Sequence, residues 1–135
     1  MIIRYAKKID YTWQKENDVH ISEEILEIKI KSKEIYIVEK NNKNIGWLRY
    51  NFFWDNIPFM NMIYFLDEHR GKGFGKKLVE YWEKEMRQKG NRDVLTSTLS
   101  NEEAQHFYRK LGYKEIGGFK LLEEPFELIF HKIIG

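Results

Sequence analysis

The fold is decided by the segment Arg70-Gly71-Lys72-Gly73-Phe74-Gly75-Lys76-Lys77, which lies between a predicted strand and the predicted helix with the clearest amphipathic pattern. Glycines allow the backbone to turn sharply and to expose its N–H groups. The first N–H groups of a helix have no partner within the helix, and the helix dipole favours negative charge there. The segment carries four basic residues and no acidic one. It therefore predicts a binding site for a phosphate or pyrophosphate.

Two common phosphate-binding loops do not fit this segment. A Walker A loop has four residues between its first glycine and Gly-Lys-[Ser/Thr], whereas Gly71 to Gly75 encloses three, and Lys77 occupies the Ser/Thr place. The alternation Gly-x-Gly-x-Gly also differs from the dinucleotide-binding fingerprint.

The residues before this segment predict one short strand, two helices and three further strands. The strand covers residues 2–7, and Asp10 begins a helix over 11–17. Ser22 caps a second helix. The end of this helix, residues 28–31, alternates between apolar and charged side chains and is also compatible with a strand. The three strands cover 34–40, 45–54 and 59–66, with turns at 41–44 and 55–58. Tight turns between successive strands predict an antiparallel meander.

The residues after the segment alternate between helix and strand. A helix over 73–89 buries Leu78, Trp82 and Met86 on one face and ends at Gly90. The pattern then predicts a strand at 93–99, a capping box Ser100-x-x-Glu103 that opens a short helix, and strands at 113–119 and 126–133. The element order β-α-α-β-β-β-α-β-α-β-β predicts a single α/β (α+β) domain over residues 1–135 with a mixed central sheet.

Composition excludes several classes of function. The chain has 135 residues, a net charge of +2 and no cysteine, which excludes disulfides, cysteine-based metal sites and a cysteine nucleophile. The near-neutral charge argues against nucleic acid as a partner, and the four histidines lack metal-ligand spacing. We expect no metal, no signal peptide, no membrane segment and a cytoplasmic location.

Two motifs together resemble the GNAT superfamily of N-acetyltransferases. The first is Arg70-x-x-Gly73-x-Gly75, which is similar to the family's coenzyme A pyrophosphate loop after the fourth strand. The second is the segment from Asn101 to Tyr113, which is similar to the family's later motif Asn-x-x-Ala-x-x-Phe-Tyr-x-x-x-Gly-Phe. The resemblance is strong over residues 59–116, and residues 1–58 agree in element order alone.

The resemblance implies a set of cofactor-binding residues. Backbone amides from Gly71 to Lys76 would hold the pyrophosphate of acetyl-CoA, and the late fourth strand would pair through its backbone with the pantetheine arm. Asn101 would contact the cofactor through its side chain. The implied positions are Ile63, Tyr64, Phe65, Arg70, Gly71, Lys72, Gly73, Phe74, Gly75, Lys76, Asn101 and Tyr108, with Lys77 as a further source of charge.

The resemblance also implies direct attack of a neutral amine on a thioester. Tyr108 would be the general acid that protonates the departing thiolate, and a backbone N–H at a bulge in the fourth strand would stabilise the oxyanion. Family members often carry a carboxylate on that strand as general base, but the corresponding residue here is Asn61. The candidates that remain open are a water chain and the side chains of His20, Glu23, Glu24 and Asp55.

Each of these residues also has a structural interpretation. The glycine segment is compatible with a solvated basic helix start, and Asn101 with a plain capping turn. Tyr108 fits an apolar stripe with Ala104, Phe107 and Leu111. Trp54 and Trp13 would either fill the core or border an acceptor pocket.

The leading hypothesis is an acetyl-CoA-dependent N-acetyltransferase that acts on a small-molecule or peptide amine, as a monomer or homodimer. The alternative is a non-catalytic acyl-CoA-binding or regulatory domain on the same fold, because Asn61 stands where a base is often found. A third hypothesis is a phosphate- or nucleic-acid-binding module that uses Lys72, Lys76 and Lys77.

Overall fold

The structure is a computed structural model that describes residues 1–135. Its elements are β1 (Ile2–Tyr5), α1 (Tyr11–Asn17), α2 (Glu23–Lys31), β2 (Ile35–Lys40), β3 (Lys43–Phe53), β4 (Ile57–Phe65), α3 (Phe74–Gln88), β5 (Asp93–Leu99), α4 (Ala104–Lys110), β6 (Lys114–Phe119) and β7 (Glu127–Ile133). Short 3-10 turns at Lys8–Asp10 and Asp67–His69 add to this series. The predicted element order and the mixed α/β class are confirmed.

The seven strands form one sheet in the order β1-β2-β3-β4-β5-β7-β6. β4 and β5 are parallel, because α3 carries the chain back across the sheet between them. Their ladder contains the pairs Phe59–Leu95 and Met60–Thr96. β5–β7 and β6–β7 are antiparallel, as are β1–β2 and β2–β3. No helix of this structure has the length and apolar character that a membrane crossing requires.

The structure decides two element boundaries. The sequence pattern left the end of α2 open, and it placed the β3–β4 turn at different residues. Residues 28–31 are helical, and the Ser22 hydroxyl caps α2 by accepting a hydrogen bond from the Ile25 amide at 3.3 Å. The β3–β4 turn was predicted at residues 55–58, but its tip is Trp54–Asp55, both with positive φ (54° and 61°). Pro58 is therefore a buried residue within β4 rather than part of the turn.

The chain divides into two compact units, one formed by residues 1–50 and 62–78 and the other by residues 51–61 and 79–135. The core of the first unit contains Ala6, Leu26, Ile35, Ile37 and Trp47. Trp13 packs edge-on against Trp47, with ring centroids 5.7 Å apart. Core packing therefore accounts for Trp13 without an acceptor pocket.

A buried ion pair joins the end of α1 to β3 in the first unit. The Arg49 Nε donates to Asp18 Oδ2 at 2.8 Å, and Asp18 is fully buried while Arg49 is 8% exposed. Gln14 Nε2 donates to the same carboxylate at 3.1 Å. Removing one member of such a pair leaves an uncompensated charge away from water.

We expect Asp18→Asn to lower the free energy of unfolding by about 3–5 kcal/mol, because the Arg49 guanidinium stays buried without its counter-charge. Urea denaturation measures this loss. The matched control is Asp67→Asn, which removes the exposed Asp67–Arg70 ion pair and changes stability by less than about 1 kcal/mol. Equal effects of the two substitutions would contradict a structural role for the buried pair.

A second buried polar cluster lies in the other unit. The Tyr113 hydroxyl donates to Glu83 Oε2 at 2.8 Å, and Lys132 Nζ lies 3.0 Å from Glu83 Oε1. Tyr113 is 2% exposed and Glu83 is 4% exposed. Burial, and then the negative charge of Glu83, raise the pKa of Tyr113 well above its usual range.

This raised pKa makes stability fall at alkaline pH. Above about pH 10 the unfolded chain loses the Tyr113 proton while the folded chain keeps it, so the folded state binds more protons and stability falls as pH rises. We expect Tyr113→Phe to flatten this fall by about 0.7 kcal/mol per pH unit at pH 10, rising toward about 1.4 kcal/mol per pH unit at pH 11.5, measured by urea denaturation over that range. An identical slope in both proteins would contradict the account.

Candidate functional site

The glycine segment forms an exposed loop that leads into the N-terminus of α3. Gly71 and Gly73 have φ values of +72° and +83°, and a Cβ at either position would meet no atom within 4 Å. Backbone conformation, not lack of space, therefore requires glycine at both positions. The Lys77 amide donates to the Gly73 carbonyl, 3.4 Å away, at the start of α3. As helix geometry requires, the amides of Phe74, Gly75 and Lys76 have no intrahelical acceptor.

The basic side chains of this loop differ in what they do. Lys72, Lys76 and Lys77 are exposed. Arg70 instead fastens the loop to the end of β4: its Nε donates to the Phe65 carbonyl at 2.7 Å and its guanidinium stacks on the Tyr64 ring at 4.8 Å. A further nitrogen of Arg70 pairs with Asp67 at 2.9 Å. The lysines thus supply the free positive charge around the open amides.

Aromatic packing holds the start of α3 in place. Phe74 lies next to Phe65, with ring centroids 6.1 Å apart, and Lys40 Nζ lies 5.2 Å from the Phe74 ring. The Phe65 ring covers Gly46 of β3 so closely that a Cβ there would lie 2.5 Å from it and 2.6 Å from the Tyr64 carbonyl oxygen. Gly46 is a structural requirement of the loop that the sequence analysis missed, because only the tertiary contact reveals it.

The end of β4 contains the three residues predicted to pair with a pantetheine arm. Ile63, Tyr64 and Phe65 are the last three residues of β4. Tyr64 stacks on Trp47 with centroids 4.6 Å apart, and Phe65 is buried. The side chains of Tyr64 and Phe65 are thus fixed by packing within the first unit.

Position 61, where a carboxylate would be expected as general base, holds an asparagine. Asn61 is exposed, and its Nδ2 donates to Asn51 Oδ1 at 3.0 Å across the β3–β4 hairpin. The other candidates, His20, Glu23, Glu24 and Asp55, are all exposed. Glu23 lies 3.8 Å from Lys15. The structure contains no group of three or more His, Asp or Glu side chains that could hold a metal ion.

The start of α4 differs from the sequence prediction. The expected capping box at Ser100 and Glu103 does not form, because the helix begins at Ala104 and its N-cap, Glu103, makes no side-chain capping bond. Other side chains hold the turn before it: the Leu99 amide donates to Glu102 Oε1 at 3.3 Å, and Gln105 Nε2 donates to the Ser100 carbonyl at 2.9 Å. Asn101 is exposed in this turn.

Tyr108 is buried in the second unit. It is 5% exposed, and its ring lies 5.9 Å from that of Tyr113 and 6.0 Å from that of Phe130. Burial is the main cause that raises the pKa of Tyr108 above its usual value, with smaller contributions from Glu102 and Glu127, while a hydrogen bond with Thr96 acts in the opposite direction. The phenol is therefore neutral at physiological pH and able to donate a proton.

Comparison with known sequences identifies one family. Residues 4–113 match the profile of the Acetyltransferase (GNAT) family. The chain is 27% identical over 84 residues to an uncharacterised N-acetyltransferase of Chlorobaculum tepidum. This match covers 62% of the chain and 52% of that protein, so the chain spans about half the length of its curated relative.

Solved structures have the same fold. Ard1 of Thermoplasma volcanium superposes with a TM-score of 0.84 at 14% identity, over 98% of this chain and 97% of that one. A protein described as a streptothricin acetyltransferase of Bacillus anthracis, solved in complex with acetyl coenzyme A, gives a TM-score of 0.68 at 21% identity, over 73% and 61% of the two chains. The family match over most of the chain, together with the shared fold, establishes that this chain belongs to the GNAT family of acetyltransferases.

Proposed function

We propose that this protein is an N-acetyltransferase that transfers an acetyl group from acetyl-CoA to a primary amine of a small molecule or peptide. The observation that carries the proposal is the loop from Gly71 to Lys76, in which left-handed glycines expose the unpaired amides at the start of α3 beside free lysines. Amides at a helix N-terminus bind anions such as a pyrophosphate. Membership of an acetyltransferase family supports the same activity.

The residues of the loop fit the cofactor in charge and in backbone geometry. Amides from Gly71 to Lys76 would bind the pyrophosphate, and Lys72 with Lys76 would add side-chain charge. Arg70 would act chiefly by holding the loop against β4, since two of its nitrogens are already engaged. The complex of the Bacillus anthracis neighbour with acetyl coenzyme A supports this ligand.

Two further contacts to the cofactor are proposed. The backbone of Ile63, Tyr64 and Phe65, the last three residues of β4, would pair with the pantetheine arm. Asn101 would contact the cofactor through its exposed amide side chain.

Acetyl-CoA supplies an activated thioester, and Tyr108 would act as the general acid. Its neutral phenol can give a proton to the sulfur as the carbon–sulfur bond breaks, which prevents the thiolate from re-attacking. Positioned acids of this kind accelerate reactions by about 10²–10⁴-fold. We assign no side chain as general base, and a chain of water molecules would deprotonate the amine.

A non-catalytic acyl-CoA-binding domain is the second candidate. It is favoured by Asn61, which makes a cross-strand hydrogen bond and cannot accept a proton from an amine. Both candidates use residues 1–135 as one acyl-CoA-binding domain, and both require the same loop. Turnover with an amine separates them.

Binding of acetyl-CoA tests the loop. We expect calorimetry to detect binding to the wild type, and acetyl-CoA at about 100 times its Kd to stabilise the fold by about 2.7 kcal/mol. Gly73→Val forces a β-branched residue into the left-handed region at the N-terminus of α3, and we expect it to weaken binding at least about tenfold, as loss of one good interaction of ~1.4 kcal/mol does.

The matched control is Gly90→Val. Gly90 follows the other end of α3 with a φ of +95° and an equally open surrounding, so the two substitutions impose similar backbone strain. We expect Gly90→Val to bind acetyl-CoA like the wild type. Absence of binding to folded wild-type protein at millimolar acetyl-CoA, or equal weakening by both variants, would contradict the proposed loop.

Turnover tests Tyr108. We expect Tyr108→Phe to reduce kcat by about 10²–10⁴-fold, with the Kd for acetyl-CoA nearly unchanged, because only proton donation is lost. The assay follows free thiol release from acetyl-CoA in the presence of an amine panel. Unaltered kcat in a folded variant would remove Tyr108 from the mechanism.

A further inference from the structure

An open cleft of about 690 Å³ lies between the start of α1 and the end of α2 in the first unit. On one side it is lined by Lys8, Tyr11 and Thr12. On the other side it is lined by Glu27, Ile28, Ile30 and Lys31 of α2. Binding sites for small molecules have volumes of about 300–1,000 Å³ and combine apolar walls with a few polar groups. This cleft has both properties, and none of the residues proposed to bind acetyl-CoA lines it.

The apolar part of the cleft has a fixed floor and an uncovered rim. Tyr11 and Ile30 pack against the core cluster of the first unit. Ile28 lies at the rim and is 57% exposed. A ligand with apolar side chains would rest on the floor and remove the surface of Ile28 from water.

Three charged side chains around the cleft have no partner of opposite charge. Lys8, Glu27 and Lys31 take part in none of the ion pairs of the structure. Glu27 and Lys31 are four residues apart on α2, in the order that favours an ion pair within a helix, yet they do not form one. Both signs of charge are therefore available to a ligand in the cleft.

The separation of these charges indicates the length of the ligand. Glu27 and Lys31 are about one helical turn apart, which is ~6 Å along the axis. An extended chain spans at most about 3.3–3.6 Å per residue. The ammonium and carboxylate groups of a dipeptide are therefore about 7 Å apart, and those of a single amino acid about half as far. A dipeptide matches the separation of the two charges, whereas a single amino acid is too short.

We propose that this cleft binds a dipeptide with free termini and apolar side chains. The ammonium group of the dipeptide pairs with the Glu27 carboxylate. Its carboxylate pairs with Lys31, and Lys8 adds a second positive charge from the opposite side of the cleft. Its side chains cover Ile28 and Ile30. This inference goes beyond the proposed acetyl transfer and uses none of the residues assigned to it.

The first test compares ligands on the wild-type protein in the absence of acetyl-CoA. We expect leucyl-leucine to bind saturably in an NMR titration of the ¹⁵N-labelled protein, with the largest shifts in the amides of residues 8–12 and 27–31. N-acetyl-leucyl-leucine lacks the ammonium group, leucyl-leucinamide lacks the carboxylate, and leucine is too short. We expect each of these to bind about fivefold more weakly, because an exposed ion pair contributes up to about 1 kcal/mol. Glycyl-glycine keeps both termini without apolar side chains, and we expect it to bind more weakly still.

Charge variants of the cleft test which end of the dipeptide each residue binds. We expect Glu27→Gln to weaken leucyl-leucine about fivefold and to leave the affinity for N-acetyl-leucyl-leucine unchanged, because that ligand has no ammonium group. We expect Lys31→Met to weaken leucyl-leucine and to leave leucyl-leucinamide unchanged, because the amide has no carboxylate. Both residues are exposed, so the two variants keep the fold.

The matched controls are Glu24→Gln and Lys43→Met, which remove the same charges from exposed residues outside the cleft. We expect both to bind leucyl-leucine like the wild type. Three results would overturn the proposal: no binding of leucyl-leucine at millimolar concentration, equal affinity for leucyl-leucine and the blocked ligands, or equal weakening by the controls. Acetyl-CoA binding and turnover are measured separately, so none of these results bears on the proposed acetyl transfer.

Discussion

The parallel ladder between β4 and β5 is the constraint on which the candidate site depends. Parallel neighbours require a crossover connection, and α3 is that connection. The crossover begins directly after β4, so the glycine loop must turn the chain from strand to helix and leaves the first amides of α3 open. Within the ladder, the Thr96 hydroxyl donates to the carbonyl of its pairing partner Met60 at 3.0 Å.

Each unit of the chain holds its candidate functional residues with buried contacts of its own. In the first, Arg70 ties the loop to the Phe65 carbonyl, and Phe65 lies over Gly46. In the second, aromatic rings surround Tyr108, and the Glu83 cluster with Tyr113 and Lys132 lies in the same unit. The buried Glu83 carboxylate is partnered on both oxygens, by Tyr113 and Lys132, as a buried charge must be when water is absent. The resulting rigidity is what the proposed acid and the proposed anion site would both require.

Much of the architecture could be predicted from the sequence because it is encoded locally. Hydrophobic periodicity predicted all the strands and helices within a few residues, and two short motifs indicated the glycine loop and Tyr108. The start of α4 could not be predicted in this way, since side chains of Glu102 and Gln105 replace the expected cap. The position predicted for the β3–β4 turn was wrong, because Trp54 adopts a left-handed backbone conformation that tryptophan rarely adopts.

Residues whose importance comes from distant contacts were missed for the same reason. Gly46 is required by Phe65, which lies on the neighbouring strand. Lysine side chains are usually exposed. The Lys29 ammonium is instead buried, where it lies 3.4 Å from Glu34 and donates to the Tyr50 carbonyl. None of these contacts has a signature in the neighbouring sequence.

The central claim is that this chain transfers an acetyl group to an amine. The most direct measurement is mass spectrometry of the amine panel after incubation with acetyl-CoA, alongside the amount of free coenzyme A. The account predicts one amine whose mass increases by a single acetyl group, in a one-to-one ratio with the coenzyme A released. Release of coenzyme A without any acetylated amine, or no release from protein that binds acetyl-CoA, would contradict it.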